Sequence, residues 1–472
     1  MTRTHLPALL FALALLAALE HSRVLPGSLF ADPAYAQDDD DDDDDDGDDD
    51  DDRDDDNDGA DQRPDREPSA SPGRTSRSAP APGSRRAPVA AAPANLPVRA
   101  EGEIVVSGLT EVDLAALQAE GFVVIENLAI TRNGPVLYRL RVPAGNTLED
   151  ARDRVRTRAS GRNADFNHYY RSGQSVTPAA APAASVAPVT PAPCNHLNCR
   201  TLDQIGWPGA RSPDCRAALD IGLIDTSVNV DHAGLSAAQV ELVRVAAADL
   251  APSGETHGTA VVALLAGSEQ RAPGLLPEAN IIAVDIFSRE GGDERTDVAH
   301  LVQALDLLSQ RGVRLANLSL AGPENTVLTD MLKAVADGGM LVVAAAGNAG
   351  PTAPPAWPAA AETVLAVTAV DGADRIYRRA QRGAHIDVAA PGVEVWSAAS
   401  VRGVKPRTGT SFAAPFATAA AAILMSRDPA LTPAEAIEAL RGLTRDVGAE
   451  GSDEVFGAGV LSLAGLCDAP AK

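Results

Sequence analysis

Three residues that can together make an active nucleophile stand far apart in the chain: Asp225, His257 and Ser411. A serine hydroxyl is a poor nucleophile unless a base lies within hydrogen-bond reach. A histidine can take that proton and return it to a leaving amine, and a carboxylate fixes the histidine tautomer. Asn348 offers an amide NH2 for the oxyanion of a tetrahedral intermediate, beside the backbone N–H of Ser411. The set predicts the chemistry of a serine hydrolase.

The segments around these residues predict an α/β domain. Its predicted strands are residues 217–224, 281–287, 313–320, 340–346, 364–370 and 385–388, and its predicted helices are 256–266, 297–310, 326–336 and 412–425. The strands are almost wholly apolar, which is typical of a parallel sheet with helices on both faces. Functional groups in such sheets gather at the carboxyl ends of strands. Asp225 and Asn348 fall at such ends, and His257 and Ser411 open helices.

The order of the three residues separates the folds that carry such a set. An α/β-hydrolase runs Ser, Asp or Glu, His and has a Gly-x-Ser-x-Gly turn, whereas a chymotrypsin-like barrel runs His, Asp, Ser. Here the order is Asp225, His257, Ser411, and the serine lies in Gly-Thr-Ser-Phe-Ala-Ala-Pro. This is the order of subtilisin.

The motifs resemble those of the subtilisin-like serine proteases, the subtilases, over about residues 217–466. GTSFAAP at 409–415 and THGTAVV at 256–262 are similar to the family's Ser and His signatures. The segments 276–284, 317–322 and 389–392 are similar to further family segments. The resemblance implies that Asp225, His257 and Ser411 form the triad and that Asn348 is the oxyanion donor. It also implies a first specificity pocket lined by Ser319, Leu320, Ala321, Gly322, Ala345, Ala346 and Gly347.

The sequence departs from the family pattern at a few positions. In the pair Thr226-Ser227 that follows Asp225, the family usually has Gly at the second position. Thr256 replaces the usual Gly before the histidine, and the segments 379–383 and 416–419 replace family motifs. None of these changes removes a catalytic atom, so they bear on pocket shape and efficiency. Two further histidines are rival bases. His232 does not open a helix and His385 falls in a short predicted strand, so both are interpreted as structural.

Residues 99–171 predict a small α+β module of order βαββαβ. Strand patterns cover 104–106, 122–130, 136–142 and 164–170, and two helices begin at Thr110 and Thr147. Subtilases often carry such a prodomain, so the resemblance implies an intramolecular inhibitor whose tail lies across the site as an extended strand. Self-cleavage is then expected between about Arg171 and Pro193. The alternative is an ordinary N-terminal domain that stays attached.

The remaining segments predict export and a linker. Residues 1–36 have a basic start, an apolar run and a small-x-small site, which indicates a signal peptide, with an uncleaved anchor as the alternative. Residues 37–98 are acidic and then rich in Pro, Ser and Arg, which predicts disorder. Residues 172–193 read as a Pro/Ala linker, and residues 194–472 as the peptidase domain. We expect a periplasmic, cell-surface or secreted protein.

Charge is concentrated in one segment. The chain carries a net charge of -25, of which residues 38–58, with 18 Asp and one Arg, contribute -17. The globular part is only mildly acidic, which argues against binding driven by neutralising nucleic-acid phosphates. No apolar run reaches the ~18–20 residues of a spanning helix, which excludes a polytopic membrane protein. The aspartate run is interpreted as a solvated spacer, with weak cation binding as the alternative.

Four cysteines stand at positions 194, 199, 215 and 467. An even count in an exported chain predicts two disulfides, with three connectivities open. The rival is a zinc site that uses His196 between Cys194 and Cys199, but the spacing is weak support for it.

Three classes of function follow from these observations. The first is an exported serine endopeptidase that acts on proteins or peptides and needs no cofactor for its chemistry; structural calcium is common in the family, but no ligands are assigned and no metal site is predicted. The second is a catalytically weak or inactive subtilase-like binding module at the cell surface. The third is a surface-display or cation-binding protein built around the aspartate run. The intact triad with Asn348 favours the first.

Overall fold

The computed structural model describes residues 96–130, 134–173, 195–208, 216–246 and 249–467. The predicted signal peptide, nearly all of the predicted disordered segment, most of the predicted linker, Cys194 and Cys215 lie outside these residues. Within the part that is described, no helix has the length and apolar character needed to span a membrane.

Residues 96–173, the N-terminal module, have the predicted βαββαβ order. Its elements are β1 (Arg99–Ser107), α1 (Glu111–Ala119), β2 (Val123–Ala129), β3 (Val136–Arg141), α2 (Leu148–Arg156) and β4 (Asp165–Ser172). Both helices begin after a threonine that accepts a hydrogen bond from the third helical residue, Thr110 from Asp113 N at 3.2 Å and Thr147 from Asp150 N at 3.1 Å. These caps fix where the helices start.

Residues 195–467 form the C-terminal domain. Its helices are α3 (Cys199–Gln204), α4 (Thr256–Ala266), α5 (Val298–Gln310), α6 (Thr326–Asp337), α7 (Thr410–Arg427) and α8 (Pro433–Gly442). Its strands are β5 (Ile221–Asp225), β6 (Gln239–Arg244), β7 (Ala251–Pro252), β8 (Asn280–Asp285), β9 (Ser288–Glu290), β10 (Asp293–Asp297), β11 (Leu315–Leu318), β12 (Leu320–Ala321), β13 (Leu341–Ala345), β14 (Val364–Val370), β15 (Val388–Pro391), β16 (Val395–Ala398), β17 (Val404–Arg407), β18 (Thr444–Arg445) and β19 (Val460–Leu461).

The main sheet of the C-terminal domain has the strand order β18-β19-β15-β14-β13-β11-β5-β8-β6, and its pairs are parallel except β18 with β19. Alternate side chains point to opposite faces. Leu223 and Val343 pack into one core with α4, α7 and α8, whereas Ile224 and Val342 pack into another with α5 and α6. The predicted parallel sheet with helices on both faces is confirmed.

A second sheet joins the module to the C-terminal domain. Its order is β2-β3-β1-β4-β10-β9-β7, and β12 also pairs with β4. On one face of the module's part of this sheet, Ile104 and Val106 pack on the module's own helices. On the other face, Val105 and Leu137 pack into the core that contains α5 and α6. The module's sheet is therefore covered by its own helices on one side and by the C-terminal domain on the other.

Some predicted element boundaries are wrong. The strand expected at 313–320 breaks at Ser319 into β11, which lies in the main sheet, and β12, which leaves it to pair with β4. The strand expected at 385–388 begins only at Val388, as β15, so His385 lies before it in a loop. The strand expected at 164–170 continues to Ser172, because its last residues find backbone partners in β12.

Candidate active site

Asp225 and His257 meet at the carboxyl end of β5. Asp225 is the last residue of β5 and His257 is the second residue of α4. The Nδ1 atom of His257 lies 2.7 Å from Asp225 Oδ1, and the two residues are 8% and 1% exposed. A carboxylate can accept a hydrogen bond but cannot donate one, so at this contact Nδ1 of His257 carries the proton and donates it. His257 Nε2 is then the basic nitrogen, and it is buried without a hydrogen-bond partner among the described residues.

Thr226, which follows the aspartate, ties the two elements together. Its backbone N–H donates to Asp225 Oδ1 at 2.7 Å, and its hydroxyl accepts from the N–H of Gly258 at 2.9 Å. A Cβ on Gly258 would stand 2.5 Å from Thr226 O, so the helix approaches the loop closely. This role of Thr226 was not predicted, because it depends on a contact between segments that are far apart in the sequence.

Ser411 is the second residue of α7 and is 1% exposed. Its neighbour Phe412 packs against the imidazole of His257, with ring centroids 5.5 Å apart. The Ser411 hydroxyl lies 3.4 Å from the carbonyl oxygen of Ser319. This orientation of the hydroxyl does not join it to His257 Nε2. Rotation about the Cα–Cβ bond of Ser411 is the movement that changes its partner.

Asn348 follows β13 after two residues and is held by its oxygen. Its Oδ1 accepts from both the backbone N–H and the hydroxyl of Thr410, each at 3.0 Å. Because Oδ1 accepts both of these hydrogen bonds from Thr410, Nδ2 is the amide atom that is left to act as a donor. Gly409 (φ +152°) has Asn348 Nδ2 as the nearest atom to a Cβ placed on it, at 3.3 Å. The amide NH2 is thus free to donate beside the start of α7.

The residues predicted to line the first specificity pocket divide into two groups. Ser319 donates through its hydroxyl to Ser411 O at 3.0 Å, and Leu320 and Ala321 form β12. Gly322 exchanges backbone hydrogen bonds of 2.9 Å with Trp357, a contact that the sequence did not predict. The second group, Ala345, Ala346 and Gly347, is fully buried at the end of β13, and Gly347 N donates to Thr410 Oγ1 at 3.1 Å.

The end of the module lies against these residues. Ser172 pairs with Leu320 and Arg171 pairs with Ala321 in antiparallel register. On its other edge the same strand pairs with β10, Tyr170 with Thr296. Gly173 N donates to Ser319 O at 3.5 Å, and a Cβ on Gly173 would overlap Ser411 Oγ and stand 2.7 Å from Asn348 Nδ2. Gly173 is therefore the residue that sits at Ser411 and Asn348.

The two rival histidines differ in their contacts. His232 accepts a hydrogen bond from Gly234 N through Nδ1 at 3.0 Å, and burial lowers its pKa. His385 lies in a loop, and burial lowers its pKa as well. Neither makes a hydrogen bond to Asp225 or Ser411 in the described residues.

Two of the four cysteines that are predicted to form disulfides lie within the described residues. Among the described residues, Cys199 and Cys467 are not free thiols, and their pairing stays a prediction because Cys194 and Cys215 lie outside the description. In the same part of the chain, no group of three or more His, Cys, Asp or Glu side chains is placed to hold a metal ion.

Comparison with known proteins places the chain in a family. The model of the Subtilase family matches residues 217–459, just over half of the 472 residues. Subtilisin DY of Bacillus licheniformis is 28% identical over 238 residues, which are 49% of this chain and 85% of that protein. Minor extracellular protease Epr of Bacillus subtilis (strain 168) is 31% identical over 208 residues, 43% of this chain and 32% of that protein. The chain thus spans about a third of Epr and most of subtilisin DY.

A solved structure shows the same fold over a larger part of the chain. Fervidolysin from Fervidobacterium pennivorans, described as a keratinolytic enzyme related to subtilisin, superposes with a TM-score of 0.64 at 20% identity, over 79% of this chain and 62% of that chain. This coverage exceeds the 217–459 region. On these matches the chain belongs to the subtilase family of serine endopeptidases.

Proposed function

We propose that this chain is an exported serine endopeptidase, made as a zymogen that cleaves itself. The observation that carries the proposal is the buried His257 side chain, whose Nδ1 contacts Asp225 at 2.7 Å while Nε2 has no hydrogen-bond partner within the described part of the chain. An imidazole held in this way can act as a general base through Nε2. The predicted signal peptide supports export, and Epr, one of the relatives, is named an extracellular protease.

In the proposed reaction Ser411 Oγ attacks the carbonyl carbon of a peptide bond while His257 Nε2 takes the hydroxyl proton. Asp225 stabilises the imidazolium that forms. Asn348 Nδ2 and the backbone N–H of Ser411 donate to the oxyanion, and losing one such donor lowers turnover about 10²–10³-fold. His257 then gives its proton to the leaving amine, the C–N bond breaks, and an acyl-enzyme on Ser411 remains. Water repeats the sequence and releases the acid.

The N-terminal module supplies the proposed inhibitor. Its last strand is paired on both edges, with β10 and β12, as an extended substrate backbone would be. Gly173, the residue after that strand, lies against Ser411 and Asn348. We therefore assign the bond after Gly173 as the one that is cut, which falls within the expected interval between Arg171 and Pro193. Until the strand leaves, no other peptide has room to bind in the same place.

The test is to label the purified full-length chain with a fluorophosphonate probe and to map its N-terminus by mass spectrometry. Wild type should be labelled and should begin at residue 174, whereas Ser411→Ala should be unlabelled and keep the module. A folded wild-type protein that takes no label would overturn the peptidase proposal in favour of a binding module. Active enzyme that begins at residue 37 would overturn the zymogen proposal alone.

A further inference from the structure

Arg171 makes a two-pronged contact with one carboxylate of the C-terminal domain. Its Nε donates to Asp293 Oδ1 at 2.8 Å and its terminal nitrogen donates to Asp293 Oδ2 at 2.6 Å. The Asp293 side chain is only 7% exposed and that of Arg171 is 24% exposed. Forked pairs of this kind are among the stronger hydrogen bonds in proteins, and they fit the planar guanidinium better than an ammonium.

The backbone position of Arg171 is one that a substrate would share. Arg171 pairs with Ala321 of β12, and it is the third residue back from the bond after Gly173. Backbone pairing alone gives no sequence specificity, because every residue except proline offers the same backbone N–H and C=O groups. The side-chain contact with Asp293 can therefore select for one residue type at this position of a bound peptide.

The charge around Asp293 favours a cation. Arg295 also donates to Asp293 Oδ2, at 2.8 Å, but it is shared with Glu290 and stacks over the Tyr169 ring at 4.0 Å. The carboxylates of Asp293 and Glu290 thus share one arginine of their own domain, Arg295. When the module leaves, Asp293 Oδ1 loses its Arg171 partner. Burial raises the pKa of Asp293, but the hydrogen bonds from Arg171 and Arg295 outweigh burial and lower it. A buried carboxylate left short of donors is unfavourable.

We infer that Asp293 is a specificity residue, and that the mature enzyme prefers peptides with arginine at the third residue before the cleaved bond. The inference rests on the proposed function and names the class of substrate for it. Lysine should be accepted less well than arginine, because a single ammonium does not match both carboxylate oxygens. Glutamate should be rejected, since it would bring a third carboxylate to the same place.

The experiment uses the processed full chain and quenched fluorescent peptides that carry residues 169–176 of this sequence. Three peptides differ only at the arginine, which is kept, replaced by its neutral isostere citrulline, or replaced by glutamate. For wild type, kcat/KM should fall about 10- to 100-fold from arginine to citrulline, as expected for loss of a charged hydrogen-bonded pair. Asp293→Asn should lower the rate on the arginine peptide and make the arginine and citrulline peptides nearly equal.

Glu294→Gln is the matched control. Glu294 is the next residue of the same strand and loses the same charge on substitution, but its partners are Arg289 and Gly254 N. This variant should keep the wild-type ratio between the arginine and citrulline peptides. If Asp293→Asn does not mature, Asp293→Glu keeps the charge but displaces it, and should narrow the ratio without removing it.

The outcomes separate the two proposals. Equal rates on arginine and citrulline in wild type that labels normally would overturn the specificity inference and leave the peptidase proposal standing. A wild-type ratio that survives in Asp293→Asn would assign the preference to another residue and overturn the role of Asp293. No cleavage of any peptide together with no probe labelling would overturn the proposed function, and the inference with it.

Discussion

The module is attached to the C-terminal domain through two regions of different chemistry. The end of the module, from Tyr169 to Gly173, lies between β10 and β12 and is held by backbone pairing and by the buried side chain of Tyr170. The rest of the sheet packs Val105 and Leu137 against the domain's core. Only the first region contains the bond proposed for cleavage. Cleavage of that bond therefore removes the covalent link between module and domain, but it leaves the packing of Val105 and Leu137 against the core intact.

The second region also contains a buried polar cluster. Asp297, the N-cap of α5, accepts from His300 N at 3.0 Å, contacts His300 Nδ1 at 2.7 Å and accepts from Asn167 Nδ2 at 3.1 Å. Burial raises the pKa of Asp297, but His300 and Arg139 more than offset it, so the pKa lies well below its usual range. Such a cluster tolerates few geometries, so it fixes the register in which the module docks.

The largest expected effect is on the strand region, at Tyr170. Its side chain is fully buried, its hydroxyl donates to Pro323 O at 2.9 Å, and a Cβ on Gly322 would overlap its ring. In the inactive Ser411→Ala chain, Tyr170→Ala should lower the free energy of module unfolding by about 3–5 kcal/mol, as for other buried aromatic deletions. Urea unfolding followed by circular dichroism measures it.

The neighbouring Tyr169 gives the control. It is half-buried and its ring stacks under Arg295 at 4.0 Å. Tyr169→Ala should lower the same free energy by only about 0.5–1 kcal/mol, the usual strength of an exposed cation–π contact. Equal losses in the two variants would mean that the buried pocket at Gly322 does not anchor the strand.

Much of the candidate site follows from the sequence because its parts are local. A short apolar strand that ends in Asp225 and a helix that opens at His257 are each visible in a few residues. What cannot be seen is a contact between distant segments. The use of Thr226 by Gly258 and the pairing of Arg171 with Asp293 depend on a fold that brings together residues 32 and 122 positions apart.

The fold shows the same division between local and distant signals. The strand at 364–370 and the helix at 256–266 were predicted with their observed bounds, since long apolar periods mark them. The helix α8 was missed, although Thr432 and Glu435 form a capping box that the sequence displays. The short strands β9 and β10 carry several charged residues and show no apolar pattern. They are strands because neighbouring backbones pair with them.

An intermediate effect is expected in the second region, at Asn167. Its Nδ2 donates to Asp297 Oδ2 at 3.1 Å and to Glu103 Oε2 at 3.0 Å, and the residue is fully buried. Asn167→Ala should weaken module docking by about 1–3 kcal/mol, because it leaves buried carboxylate oxygens short of a donor. The measurement is again urea unfolding of the Ser411→Ala chain.

An exposed contact across the same boundary is the matched comparison. Asn163 Nδ2 donates to Asp330 Oδ2 at 3.1 Å in an exposed setting. Asn163→Ala should change docking by less than about 1 kcal/mol, since water replaces the lost partner. The turnover of mature Asn167→Ala enzyme should equal that of wild type, because the module has left. Reduced turnover after full maturation would show that Asn167 acts on folding of the C-terminal domain and not on docking alone.

The smallest effect expected is a pH dependence of docking, and it comes from His168. Asn325 holds its orientation by accepting from Val327 N and Leu328 N through Oδ1, so its Nδ2 donates to His168 Nδ1 at 3.0 Å. That bond needs an unprotonated Nδ1. Burial lowers the pKa of His168; Asp165 acts in the opposite direction, and Arg99 and Arg152 add to the lowering.

The sign of the dependence follows from the lowered pKa of His168. The free module has an ordinary histidine pKa of about 6.5, so docking is at full strength above that pH. Below it the free module binds a proton that the docked one does not, and docking weakens by at most about 1.4 kcal/mol per pH unit. The pKa of His300 shifts the other way despite burial, chiefly through Asp297 of its own domain, while Arg139 and Glu126 of the module act on it in opposite directions. His168→Gln keeps an acceptor and should make docking flat between pH 8 and 5.5; an unchanged slope would assign the titration to the carboxylates of the polar cluster.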